Sequence, residues 1–281
     1  MARFSFVTHA RSDGDAAQPR ISDLAFDADG ATLFAITVAG GEVSAWNSGG
    51  TGLARIHARQ IAGSPGAGPA PEVAPIELGG QAALIATGTG APRLHMLQGD
   101  GGIGAARARP VGWGNAAPAD LETVKLQNGR IMVYGGLATR AGVADMRLTE
   151  GGTLLLSGVT ARLGSVSALA SAEIGGRDFL FAASGGAETG LTALRIGAGG
   201  ALDPRSVLTP EDGLWISAPT ALERLTLGQA EHLVLGAAGS SSLSVARIGS
   251  DGTLAVTDHV IDDRDSRFGG VTALATATHR G

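Results

Sequence analysis

The sequence predicts an all-β protein, a β-propeller of four-stranded antiparallel blades with five complete blades and a partial sixth. A short motif returns about every fifty residues along the 281-residue chain, and a repeat of this length is typical of propeller blades. Each repeat holds four short apolar segments separated by turns, many of them at paired glycines among the 45 in the chain. No segment has the capped, amphipathic pattern of a helix of useful length.

The recurring motif opens each repeat and is predicted to form the innermost strand of a blade. Four copies are clear: 21–24 (Ile-Ser-Asp-Leu), 166–169 (Val-Ser-Ala-Leu), 219–222 (Pro-Thr-Ala-Leu) and 271–274 (Val-Thr-Ala-Leu). Two weaker copies lie between the first two of these, at 74–76 and 119–121. We therefore expect first strands near residues 21, 74, 120, 167, 219 and 271.

The fourth repeat shows the order of the strands within a blade. Its four predicted strands are 166–173, 178–184, 191–196 and 202–208. The second is almost wholly apolar and the third alternates, which indicates a strand buried on both faces beside a half-buried one. Second strands of the other repeats are expected at 33–36, 83–86, 131–134 and 233–235, and third strands at 43–47, 94–98, 143–148 and 243–248.

The two ends of the chain are predicted to share the sixth blade. Residues 4–10 match the outermost strand predicted at 254–260, and residues 271–278 are expected to form an innermost strand. The two middle strands of that blade have no counterpart, so an apolar edge would stay open. We expect a single propeller domain, 1–281, that is the front part of a longer chain.

Composition excludes several classes of function. The net charge of −5 and the pI near 5.7 leave no basic stripe for nucleic acid. The chain has no cysteine, which rules out disulfides, thiolate metal sites and a cysteine nucleophile. No apolar run approaches the eighteen residues of a membrane span, and residues 1–20 lack the apolar core of a signal peptide.

Three glycine-containing motifs are interpreted as turns. Residues 99–104 (Gly-Asp-Gly-Gly-Ile-Gly) match the dinucleotide fingerprint, but that site needs a following helix. Residues 27–30 (Asp-Ala-Asp-Gly) and 251–252 (Asp-Gly) look like pieces of calcium loops without the glutamate and helices of an EF-hand. The six histidines are scattered and no Gly-x-Ser-x-Gly elbow occurs, so no catalytic constellation is recognised.

One column of the repeat carries carboxylates. The residue after the aligned leucine or isoleucine is Glu77, Glu122 or Glu223 in three repeats and alanine in the other three. Asp23 and Asp120, two residues before that column, are expected on the same face of the strand. Carboxylates that converge on a central channel could bind Ca²⁺ or Mg²⁺, and the alternative is a water-filled channel with solvated side chains.

The outer half of the repeat resembles a known family. The pattern Leu191-x-x-x-Arg195-Ile196 and the stretch 243–254, which ends in Gly-Ser-Asp-Gly-Thr-Leu, resemble the lactonase-like propellers of the YVTN type, also known as 6-phosphogluconolactonase-like. They are also similar to the propeller that precedes the calcium-binding repeats of secreted RTX (hemolysin-type) bacterial proteins. The resemblance implies the propeller fold. The RTX likeness implies a calcium-binding, exported protein, whereas the RTX nonapeptide itself is absent from this sequence.

Two functions follow from these observations. The first is a non-catalytic interaction or scaffold module of a larger, secreted RTX-type protein, with a protein or glycan partner. The alternative is a lactonase-like hydrolase that acts on a small lactone or sugar lactone in the central channel. The first implies export by a leaderless, type I-like route, and a cytoplasmic location is the alternative.

Overall fold

The computed structural model describes residues 21–27, 29–38, 41–47, 53–61, 70–88, 90–99, 101–107, 110–113, 117–138, 141–160, 163–264 and 268–275. These residues form five antiparallel sheets, each made of four strands that follow one another in the chain. Two single 3₁₀ turns, Gly186–Glu188 and Pro210–Asp212, complete the regular structure of the described residues. The predicted all-β fold with five four-stranded blades is confirmed.

The strands are numbered in chain order. Sheet 1 contains β1 (Ile21–Phe26), β2 (Thr32–Thr37), β3 (Glu42–Asn47) and β4 (Ala54–Gln60). Sheet 2 contains β5 (Val73–Leu78), β6 (Gln81–Ala86), β7 (Arg93–Leu97) and β8 (Ile103–Ala106). Sheet 3 contains β9 (Asp120–Lys125), β10 (Ile131–Gly136), β11 (Val143–Leu148) and β12 (Leu154–Thr160). Sheet 4 contains β13 (Ser165–Ile174), β14 (Arg177–Gly185), β15 (Gly190–Ile196) and β16 (Leu202–Leu208). Sheet 5 contains β17 (Pro219–Leu227), β18 (Ala230–Ala237), β19 (Ser242–Ile248) and β20 (Leu254–Ile261).

The core lies between the sheets, because each sheet packs a face on the next one. Buried apolar side chains fill the spaces between sheets 1 and 2, 2 and 3, 3 and 4, and 4 and 5. The second strands are buried on both faces. On β14, Phe179 and Phe181 pack toward sheet 5, and Leu180 and Ala182 pack toward sheet 3. This two-sided burial is the reason that the second strands are apolar throughout.

The first strands line the centre of the molecule. Each of β5, β9, β13 and β17 contacts the first strand of the sheet before it. All of them start at one end of the molecule and finish in the turn to a second strand at the other end. A side chain near the start of one first strand is therefore close to its equivalents in the neighbouring sheets.

The three motifs interpreted as turns lie in turns. Gln98 and Gly102 close the β7–β8 hairpin, with the Gln98 amide donating to the Gly102 carbonyl at 2.8 Å. In the β1–β2 turn, Oδ1 of Asp27 accepts from the amide of Thr32 at 3.0 Å. In the β19–β20 turn, Oδ1 of Asp251 accepts from the amide of Thr253 at 3.1 Å. Aspartates that bond to the nearby backbone in this way are typical of tight turns.

Few of the residues predicted for the sixth blade are among those that the structure describes. The predicted strand 4–10 lies outside them, and so do residues 276–278. Residues 271–275 are described but form no strand, which corrects the prediction of an innermost strand there. The segment nevertheless starts where a first strand would start, because Thr220 donates its hydroxyl to the Val271 carbonyl just as Ser167 does to the Pro219 carbonyl.

None of the helices in the described part of the chain has the length and apolar character needed to cross a membrane.

Candidate carboxylate site on the first strands

Three carboxylates connect four successive sheets to one another. Oδ2 of Asp23 accepts from the amide of Val73 at 2.9 Å, across to sheet 2. The Glu72 carboxyl accepts from the amide of Leu121 in sheet 3. Oδ2 of Asp120 accepts from the amide of Leu169 in sheet 4. The same contact therefore recurs from sheet to sheet, and it makes Asp23, Glu72 and Asp120 equivalent residues.

Glu72 and Asp120 lie within hydrogen-bond contact of each other, and their surroundings favour the protonated form. Burial, the charges of Asp120 and Asp23 and a hydrogen bond to Asp120 raise the pKa of Glu72 well above its usual range. Burial raises the pKa of Asp120 to about 8, although hydrogen bonds from Leu169, Glu72 and Leu121 oppose it. Two carboxyl groups this close cannot both ionise at little cost, so the pair keeps at least one proton at neutral pH.

Glu122 lies two residues beyond Asp120 on β9, and the pKa of Asp120 responds to its charge. Burial raises the pKa of Glu122 itself to about 7, with a further contribution from Glu223 and an opposing hydrogen bond from Ser171. The Ser171 hydroxyl donates to Oε1 of Glu122 at 2.6 Å and fixes the carboxyl in place. Burial also raises the pKa of Glu223.

The site contains four partly buried carboxyl residues: Asp23, Glu72, Asp120 and Glu122. Each of these residues keeps partial solvent exposure. Burial raises the pKa of all four, acidic neighbours add to this for Glu72, Asp120 and Glu122, and no arginine, lysine or histidine of the described region is among the groups that shift them. The site is therefore acidic and partly protonated.

The predicted site residues do not all lie together in the structure. Asp23, Asp120, Glu122 and Glu223 lie on the first strands as expected, and the first three belong to one connected group. Glu77 does not join them. It is exposed and lies at the far end of β5, next to the turn to β6.

The alignment of the repeats within the sequence is three residues out of register in the second repeat. It aligned Ile76 with Leu121, whereas the hydrogen bonds show that Val73 is the equivalent residue. Requiring equal spacing between the repeats would have identified Val73. Leu24, Val73 and Leu121 are 49 and 48 residues apart, and Ile76 would give 52 and 45. Glu72 is therefore the site residue that the sequence analysis missed.

A preformed metal site is not found. Among the residues that the structure describes, no three carboxylate or imidazole side chains are arranged so that they could hold a metal ion. The Ca²⁺ or Mg²⁺ site stays a prediction from the sequence.

The fold is shared with solved propeller structures. A Lactobacillus plantarum protein matches with a TM-score of 0.63 and 15% identity, over 89% of this chain and 73% of its own. A protein of unknown function from Desulfotomaculum acetoxidans matches with a TM-score of 0.62 and 12% identity, over 91% and 75%. A Bacteroides uniformis protein provisionally named a 6-phosphogluconolactonase matches with a TM-score of 0.50 and 14% identity, over 89% and 88%.

These likenesses show the fold. No protein-family model and no curated protein matches the sequence.

Proposed function

We propose that the protein is a hydrolase that opens a small, uncharged lactone at the carboxylate site. The observation that carries this proposal is Glu122, a buried carboxyl with a pKa of about 7 beside the pair Glu72 and Asp120, which keeps a proton at neutral pH. A base that is half ionised at the working pH and an acid that is still protonated are what general acid–base catalysis needs.

Glu122 is the base in this proposal. Its carboxylate takes a proton from a water molecule, whose oxygen then forms a bond to the carbonyl carbon of the lactone. The Ser171 hydroxyl donates to Oε1 of Glu122 at 2.6 Å, and the Ser171 backbone amide also donates to this carboxyl, so the base is held in one orientation. The residue keeps partial exposure, and the proposal places the water on that side of the carboxyl.

The pair Glu72 and Asp120 is the acid. Its shared proton donates a hydrogen bond to the carbonyl oxygen, which becomes negatively charged when the water adds, and a donor already in position stabilises that charge. When the tetrahedral intermediate breaks down, the ring carbon–oxygen bond is cleaved and the leaving alkoxide takes the proton from Glu122. The product is a hydroxy acid, whose carboxylate the site repels.

The charge of the site selects the substrate. Carboxylates surround Glu122, and Glu223 adds another, so a phosphorylated lactone would be repelled. The Bacteroides uniformis neighbour is provisionally named for a phosphorylated lactone. That name supports the reaction class here, and the acidic surroundings favour an uncharged sugar lactone.

A non-catalytic interaction module is the second candidate. It is favoured by the contacts that Asp23, Glu72 and Asp120 make with backbone amides of the next sheet. Carboxylates in such positions join blades, and that role needs no substrate. The partner, the RTX association and export of such a module are proposals that rest on the sequence resemblance.

The test is a panel of lactones assayed with chelator and with added Ca²⁺. We expect hydrolysis of uncharged sugar lactones without metal, with a rate that rises with pH through about 7 as Glu122 loses its proton. Glu122→Gln should lower kcat by about 10²-fold or more, and Glu77→Gln, at the far end of β5, should not. Absence of turnover on the whole panel, or full activity of Glu122→Gln, would leave the interaction module as the function. Turnover that requires Ca²⁺ would contradict the metal-free mechanism.

A further inference from the structure

Three arginines of sheet 4 meet at the end of the molecule opposite the carboxylate site. Arg177 begins β14, just after the turn that ends the first strand β13, and Arg195 and Arg205 lie on β15 and β16. With Asp251 and Thr253 of sheet 5 they line a hollow of about 230 Å³. The carboxylate site lies at the starts of the first strands, so the two places are separate.

Strand register brings these side chains together. Arg195 lies opposite Phe179 on one side and Asp203 on the other. The register of β15 and β16 shifts between Ala193 and Leu194, which leaves Arg205 as the extra residue of a bulge. A bulge turns a side chain away from the regular alternation, and here it adds a third guanidinium to the two from β14 and β15.

The ion pairing of the arginines is incomplete. Oδ2 of Asp203 lies 2.6 Å from the Arg205 guanidinium and 3.3 Å from that of Arg195, so one carboxylate serves two cations. Arg177 is exposed and makes no ion pair within 4 Å with any residue that the structure describes. Exposed ion pairs of this kind contribute little to stability, so the fold does not explain the cluster.

Asp251 faces the arginines but is bonded within its own turn, where hydrogen bonds from Thr253 lower its pKa and the charge of Arg177 contributes to the lowering. Its Oδ1 is held by the amide of Thr253 at 3.1 Å and by the hydroxyl of the same residue at 2.7 Å. The three guanidiniums face the carboxylates of Asp203 and Asp251, and the Asp178 carboxylate lines the adjoining hollow, so the charges balance and the arginines act through their N–H donors. Each guanidinium has five N–H donors, and most of them stay available in the hollow.

A second hollow of about 460 Å³ adjoins the first and shares Arg177 and Arg195 with it. The β9–β10 and β15–β16 turns line it, and two side chains of the first turn donate hydrogen bonds to neighbouring turns. Nε2 of Gln127 donates to the Gly176 carbonyl and Nδ2 of Asn128 to the Ala198 carbonyl, both at 2.8 Å. Asp178 also lines this space and offers carboxylate oxygens to hydroxyl groups.

We propose that Arg177, Arg195 and Arg205 bind the phosphate or sulfate group of a small organic anion whose hydroxyl-bearing body lies in the adjoining hollow. The planar fork of a guanidinium matches two oxygens of a tetrahedral oxyanion, and three forks around one hollow can contact it from several sides. The acceptor oxygens of Asp178 suit a sugar or polyol. The ligand class is therefore a sugar phosphate or sugar sulfate.

Sheet 5 offers a matched control. Arg247 takes the place in β19 that Arg195 takes in β15, but Ala255 lies opposite it and Asp203 has no equivalent there. Arg247 is also exposed. A variant at Arg247 removes the same charge from an equivalent strand position and leaves the lining of both hollows unchanged.

The experiment measures binding at low ionic strength by calorimetry, first with inorganic phosphate and then with glucose 6-phosphate, glucose 6-sulfate and glucose. We expect inorganic phosphate to bind with a Kd in the millimolar range, the phosphorylated or sulfated sugar to bind at least about tenfold more tightly, and glucose not to bind. The sugar ester that binds more tightly shows whether the site prefers a phosphate or a sulfate group. Arg177→Ala should weaken binding at least about tenfold, whereas Arg247→Ala should not change it.

Two results would overturn this proposal. One is the absence of binding of every anion, and the other is equal weakening in Arg177→Ala and Arg247→Ala, which would indicate only a general attraction by surface charge. The outcome is independent of the hydrolase proposal, because Glu122→Gln should bind phosphate as the wild type does.

Discussion

The proton held by Asp120 makes the protein less stable as the pH rises. Its pKa is 3.8 in an unperturbed chain and about 8 in the folded protein. Between these values the unfolded carboxyl is charged and the folded one is protonated, so the folded state binds more protons and the free energy of unfolding falls with increasing pH. Below about pH 4 the two states do not differ at this group, and above about pH 8 the loss is complete.

Asp120→Asn removes this loss and keeps the geometry. The amide oxygen still accepts from the backbone amide of Leu169, and the amide nitrogen can donate to Glu72. A tenfold change in proton affinity corresponds to about 1.4 kcal/mol, so the whole shift would be worth about 4 kcal/mol at pH 7. Because Asp120 interacts with Glu72, which retains a proton in the variant, we expect a gain of about 1 to 2 kcal/mol.

Urea unfolding followed by tryptophan fluorescence at pH 4.5, 6 and 7.5 measures this gain. The difference between Asp120→Asn and wild type should be small at pH 4.5 and largest at pH 7.5. Asp258→Asn, at an exposed position on β20, is the control and should differ little from wild type at any pH. A variant that is equally or less stable than wild type at pH 7.5 would refute the shared proton.

Two further substitutions test the packing between sheets. Gly252→Ala should destabilise the protein by about 2 to 4 kcal/mol, because φ is +86° and a Cβ would lie 2.2 Å from Cε1 of Phe179. Gly176→Ala, at φ +72° with open space around it, should cost only about 1 kcal/mol, and equal costs would contradict the close packing of the β19–β20 turn on sheet 4. Tyr134→Phe should cost about 1 to 2 kcal/mol, because the buried hydroxyl donates to the Gly200 carbonyl at 2.9 Å. Unchanged urea unfolding of this variant would show that the carbonyl finds another donor.

The strands could be predicted from the sequence because local patterns encode them. On β14 the apolar run 179–183 is needed since neighbouring sheets cover both faces, and the glycine turns mark the ends of hairpins. The period of the repeat then gives the number of complete blades. These features depend on residues that are close in the chain.

The carboxylate site could be predicted only in part. Asp120 and Glu122 lie on a strand whose start the repeat identifies, so their common face follows from alternation. Glu72 was missed because Val73 and Ile76 are both apolar; the repeat spacing favours Val73, and the hydrogen bond from its amide to Asp23, fifty residues away, decides between them. The shared proton depends on the distance between side chains of different sheets, which no local pattern reports.

The most direct test of the account is a carboxyl titration by ¹³C NMR of protein labelled at aspartate and glutamate, with resonances assigned by Asp120→Asn and Glu122→Gln. The account predicts one resonance with a midpoint near pH 8, lost in the first variant, and one near pH 7, lost in the second. Titration of every carboxyl below about pH 5, as in exposed side chains, would contradict it and would remove the acid and the base of the proposed hydrolase.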